Sequence, residues 1–174
     1  MATTFPSSRP ANLDIGPALR GTMAAGGIGL GSLVVVAMTR AAVGLAPAAP
    51  QVREVAVMIH LAAVLPAIPL GLYVLATRKG GARHRLLGRV WMALMLVTAL
   101  SALFIRHMNQ GHFSPIHLFV PATLYVMWKA IASARAGRIG DHRRHLVGLF
   151  LGALLVPGLF SFLPERLMGV WLLG

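Results

Sequence analysis

Seven histidines and no cysteine stand in a chain of 174 residues, and two of those histidines repeat one local pattern. Ile59-His60-Leu61 returns as Ile116-His117-Leu118, 57 positions further on. The same interval separates Arg78 from Arg135 and Gly80 from Gly137, and one inserted residue brings His84-Arg85 opposite His142-Arg143. Each copy therefore reads histidine, long apolar stretch, basic glycine-containing loop, His-Arg. A repeat at fixed period dictates architecture, so it is read first. Two imidazoles on opposite sides of an iron are what a b-type haem requires, and helices facing across a bundle can supply them. Pairing His60 with His117 and His84 with His142 predicts one or two haems b and an electron path between them. His60 and His117 are then the first candidates for iron ligands, and Arg85 and Arg143 are placed to meet propionates.

Other chemistries suit the same residues. An ionisable group inside an apolar span is a candidate functional site by default, and His60 or His117 could equally bond a neighbouring helix or bind a quinone. A metal site from His107, His112 and His117 together with His60 is a further option, although five-residue intervals do not align on one helix face. From His60 to about Arg78 a helix rises about 27 Å, which sets His84 and His142 at the edge of the hydrocarbon. There the basic loops, with Arg78, Arg83, Arg135, Arg138 and Arg144, suit the phosphates of membrane lipids. No acid lies within a span, so a carboxylate proton relay has no support, and no Ser/His/Asp grouping points to hydrolysis.

The elements that must position these groups are membrane helices. Hydrophobic residues make up 57% of the chain and charged ones only 11%, against about a quarter in soluble domains. Apolar runs near 20 residues long predict five spans, at about 21–45, 55–76, 86–105, 116–134 and 146–163. The expected fold is an all-α integral membrane protein: a four-helix bundle made of two parallel-duplicated hairpins, plus one N-terminal helix. Residues 1–18 form a polar tail without the features of a secretory signal, and residues 19–174 a single membrane domain. Ala25 with Gly29 and Gly27 with Gly31, each four apart, would allow close helix contact, within this bundle or with a larger membrane complex.

Of the sixteen basic residues, all but Arg40, Arg53, Arg106 and Arg166 fall on the tail and the loops after spans two and four. The positive-inside rule then puts the N-terminus and both basic loops in the cytoplasm of a bacterium and the C-terminus outside its inner membrane. The formal net charge of +12 follows from this topology, and no nucleic-acid partner is expected, because no basic, aromatic-rich patch stands clear of a span.

Residues Ala134 to Gly169, ARAGRIGDHRRHLVGLFLGALLVPGLFSFLPERLMG, resemble the end of a large bacterial family of predicted membrane proteins of unknown function. The His84-Arg85-Leu86-Leu87-Gly88 junction and the Ser114-to-Leu118 approach to a span are similar to that family as well. The resemblance covers roughly Val55 to Gly174 and implies multiple spans without implying an activity. In the pairing of histidines on alternating helices, the arrangement is similar to that of the transmembrane ascorbate-reducible cytochromes b. A non-catalytic accessory subunit of a respiratory or photosynthetic complex is the rival expectation.

Overall fold

The computed structural model of the protein describes residues 16–77, 80–106 and 112–174. These are helical, with no strand among them, and five helices are long and apolar enough to cross a membrane. They are α1 (Pro17–Ala42), α2 (Val55–Ala76), α3 (Ala82–Ala102), α4 (Phe119–Arg135) and α5 (Ile139–Phe160). A 3-10 turn, Pro115–Leu118, leads into α4, and a short α6, Leu167–Leu173, ends the chain. The expected tail lies largely outside the described residues, as do Arg78 and His107.

Helices α2 and α3 form one hairpin and α4 and α5 the other, with α3 against α4, while α1 lies against α2, α5 and α6. In this order the starts of α2 and α4 share one end of the bundle with the close of α3 and α5. That end carries His60 and His117. The opposite end carries Arg83, Arg85, Arg89, Arg135, Arg138, Arg143 and Arg144, and is called the arginine end below.

Three spans begin earlier than their apolar content suggests. The first starts at Pro17, where proline suits the opening turn of a helix. The third starts at Ala82 and the fifth at Ile139, so His84 and Arg85, and His142 and Arg143, lie in opening helical turns and not in loops. Long arginine side chains let a helix run past the hydrocarbon while the guanidinium stays in the polar layer. The repeated glycines stop the preceding structure: Gly80 and Gly137 have φ of 92° and 70°, a region glycine enters without penalty. At the second, the Arg138 N–H reaches back to the Ser133 carbonyl at 2.9 Å, closing α4 in the manner of a glycine C-cap.

Packing decides how the helices meet, since lipid offers apolar side chains nearly the same surroundings as a helix neighbour does. Trp91 of α3 is fully buried and its indole N–H donates to the Ala67 carbonyl of α2 at 3.0 Å. It can lie there because Gly71 has no side chain: a Cβ at that position would stand 2.6 Å from the indole nitrogen and 3.0 Å from Phe150. Phe150 belongs to a π-helical stretch of α5, Leu149–Leu155, and its ring also lies over Gly27 of α1. Such a widened turn shifts the side chains after it around the helix axis.

The glycines of α1 therefore divide. Gly26 and Gly27 face Leu155 and Phe150 within this bundle, whereas Gly29 and Gly31 have nothing near their missing Cβ. A smaller core of Ala37, Met168 and Trp171 joins α6 to α1, and Arg40 donates from Nε to the Trp171 carbonyl at 3.0 Å.

Candidate functional site

At the His60 end, the five spans leave a cavity of about 520 Å³ between them. Its walls are mostly apolar, from Leu30 and Val34 of α1, Leu61 and Val64 of α2, Met95 of α3, Val120 of α4 and Leu154 of α5. His60, His117, Thr98 and Thr123 lie in the same wall, and Arg106, Glu165 and Arg166 border it. An apolar hollow with a few convergent polar groups is the ordinary form of a small-molecule site. Both histidines that the sequence pairs are among the residues lining this cavity.

Their partners differ. His60 Nδ1 lies 3.0 Å from the Thr98 carbonyl and 3.1 Å from Ser101 Oγ. A carbonyl can only accept, and Ser101 already points its proton at the Val97 carbonyl, 2.7 Å away. Nδ1 must therefore carry the proton in the neutral ring, which leaves the Nε2 lone pair bare. No described residue bonds that nitrogen, nor is it sealed off by its surroundings.

His117 is arranged the other way. The Ser114 backbone N–H donates to its Nδ1 at 3.0 Å, and although the Ser114 carbonyl also lies 3.1 Å from Nδ1, the amide donor and the carbonyl facing Nε2 together favour a ring proton on Nε2. From there it reaches the Ile105 carbonyl at 3.2 Å. The exchange with Ser114 is a capping box in which histidine takes the place usually held by glutamate. His117 is 9% exposed and the edge of its ring meets Phe113, whose face lies under the Arg106 guanidinium. It fastens the start of α4, and both its nitrogens are in use.

Thr98 was not singled out by the sequence reading. It is 8% exposed, and its hydroxyl has no partner among the described residues. Serine and threonine in a helix commonly bond the carbonyl four residues back. Ser101 does so and Thr98 does not. The signal available in the sequence was Thr98 and Ser101, three apart on an otherwise apolar span facing the turn of α2 that holds His60.

At the arginine end the predicted residues separate. His84 lines a smaller pocket of about 350 Å³ with Tyr73, Thr77, Gly81 and Arg83, and His142 is not among its walls. His142 instead donates from Nδ1 to the Ala130 carbonyl of α4 at 2.8 Å. Arg85 bonds the Gly80 carbonyl at 2.9 Å, Arg83 covers the Tyr73 ring, and Arg138 and Arg144 both approach Asp141. Arg135 is exposed, and Arg143 is half-buried on α5. No group of three or more histidine, aspartate or glutamate side chains suited to a metal ion occurs among the described residues. The option built on His107, His112, His117 and His60 thus has one member outside the described residues and another, His117, with both nitrogens bonded.

A family model described as predicted membrane protein (DUF2306) matches residues 57–154. No curated protein and no solved structure matches the chain.

Proposed function

The chain belongs to the DUF2306 family of predicted membrane proteins, and from that premise we propose that it binds a lipid-soluble small molecule in the cavity around His60. The observation that carries this reading is the cavity itself: about 520 Å³, walled by apolar residues of all five spans, with one imidazole nitrogen left bare. An apolar molecule dissolved in the bilayer gains contact with these walls, while Arg106, Glu165 and Arg166 suit a polar end at the membrane surface. The positive-inside rule sets the arginine end in the cytoplasm and the cavity towards the outer face of a bacterial inner membrane.

Filling the cavity tests the reading. Ala102 lines it, and Ala102→Phe should abolish uptake of a fluorescent lipophile by delipidated protein while the protein stays folded. Equal uptake by both proteins would remove the basis of this proposal.

A b-type haem is the second reading, favoured by His60 alone. An imidazole whose Nδ1–H is held by a carbonyl presents Nε2 as metal ligands do. His117 would have to give up its bonds to Ser114 and Ile105 before ligating from the other side. Electron passage through the bilayer would further need a centre at His84 and His142, which do not line the same pocket. A Soret band in pure protein that disappears in His60→Ala supports this reading. Its absence after expression with a haem supply rejects it.

The accessory-subunit reading rests on Gly29 and Gly31 of α1, beside which this bundle places nothing. Co-migration with other subunits in native detergent supports it, and a lone monomer counts against it.

A further inference from the structure

We infer that the ligand of the His60 cavity is an amphiphile with an anionic head, whose carboxylate or phosphate oxygens accept from the Arg106 guanidinium at the mouth while its alkyl chain lies inside. This inference rests on the ligand-binding reading above and names the class of molecule that the mouth selects. The cavity walls are mostly apolar, and the charged residues bordering it are Arg106, Arg166 and Glu165. None of the three has a salt-bridge partner among the described residues. Glu165 is exposed, whereas both arginines are half-buried. The mouth thus carries two cations against one anion, and it is the cations that the protein partly encloses.

Arg106 is the cation held in a fixed place. Its Nε donates to the Leu103 carbonyl at 3.0 Å, and its guanidinium lies 4.3 Å from the centre of the Phe113 ring, a distance at which a cation and a ring face attract. His117 meets Phe113 in turn, which fastens this platform to the start of α4. With Nε engaged, the donors of Nη1 and Nη2 remain. Neither nitrogen bonds a described residue, and neither is sealed off from its surroundings. Paired N–H donors on a planar group match the oxygens of a carboxylate or phosphate, and a guanidinium already held by other contacts has less freedom to lose on binding. A neutral lipophile gains the same walls without these charge-assisted bonds, and a cationic head meets like charges. Two sources share the anionic chemistry: the carboxylate of a free fatty acid, and the phosphate of a membrane phospholipid with one chain drawn into the cavity.

The experiment measures displacement of the fluorescent lipophile from the full chain, in neutral detergent at alkaline pH, by probes of one chain length: dodecanoate, dodecyl phosphate, dodecanol and dodecyltrimethylammonium. At least one of the two anions should bind about tenfold more tightly than dodecanol, the effect of a charge-assisted hydrogen bond, and the cation should do no better than the alcohol. Tighter binding of dodecanoate upholds the inference with a fatty acid as the source, and tighter binding of dodecyl phosphate upholds it with a phospholipid. Arg106→Gln should bring the anions down to the level of dodecanol and leave dodecanol itself unchanged, which shows the cavity intact. Arg53→Gln removes a charge from an exposed position at the same end but outside the cavity walls, and should preserve the ratio. Equal narrowing in the two variants assigns the preference to general surface charge and overturns the inference. Equal binding of anions and alcohol by the wild-type chain, or tighter binding of the cation, also overturns it and leaves the apolar cavity standing. If no probe displaces the lipophile and Ala102→Phe changes nothing, the underlying reading fails instead. The comparison of probes on the wild-type chain needs no variant to fold.

Discussion

His60 and His117 line one cavity in opposite tautomers: the first holds its proton on Nδ1 against the Thr98 carbonyl, the second on Nε2 against the Ile105 carbonyl. They occupy matching positions of a sequence repeat, yet their chemistry diverges because their backbone settings do. His60 lies in the second turn of a regular helix, where its ring meets the Thr98 carbonyl of α3. His117 lies in a 3-10 turn whose first amide, that of Ser114, is free to seek an acceptor. One ring is thereby left able to meet a ligand, and the other becomes part of the scaffold.

His117→Ala should lower stability more than a cavity residue of its size would suggest. It removes the acceptor for the Ser114 amide and the donor to Ile105, and loss of a helix cap alone costs about 0.5–2 kcal/mol. Thermal unfolding in detergent measures this. An unchanged midpoint would show that the start of α4 does not depend on the imidazole.

Gly71→Ala should be among the most damaging single changes. The added methyl would stand 2.6 Å from the Trp91 indole and 3.0 Å from Phe150. Both rings are fully buried, and overpacking of this kind costs about 1–3 kcal/mol. Gly88→Ala, where nothing lies within 4 Å, should be neutral or slightly stabilising for a helix interior. Parallel melting curves compare the pair, and equal behaviour would contradict the packing of Trp91 on Gly71.

Arg40→Gln should loosen the C-terminal helix without unfolding the five spans. The guanidinium ties the Trp171 carbonyl and, through Nη2, the Leu45 carbonyl at 3.1 Å. Hydrogen exchange over Leu167–Leu173 should accelerate in the variant, since a bond from a charged donor contributes about 1.5–3 kcal/mol. Unaltered protection there would assign the docking of α6 to Met168 and Trp171 alone.

Asp141→Asn should leave stability nearly unchanged. Its contacts with Arg138 and Arg144 span 3.5 and 3.8 Å between largely exposed side chains, and exposed pairs contribute roughly 0–1 kcal/mol. A larger loss, measured by the same melting curves, would mean that the arginine end is organised around this carboxylate.

The sequence by itself determined that the chain is a helical membrane protein, how many spans it has, and which residues fall at which end. Apolar length and proline and glycine placement are local properties, and a span needs little more than enough of them in a row. The 57-residue interval likewise located the paired turns at Gly80 and Gly137 and brought His60 and His117 to one end. Only the tertiary structure decided what those histidines do. A histidine's tautomer depends on which carbonyl or amide a neighbouring helix presents, and nothing in Ile-His-Leu distinguishes one setting from the other. The same holds for Thr98, whose hydroxyl is notable only because no partner in the bundle reaches it. It holds also for the glycines of α1, where Phe150, more than a hundred residues away, determines that Gly27 is packed while Gly29 stays open. These are contacts between distant parts of the chain, fixed by how the helices cross, and they exist only once the bundle has assembled.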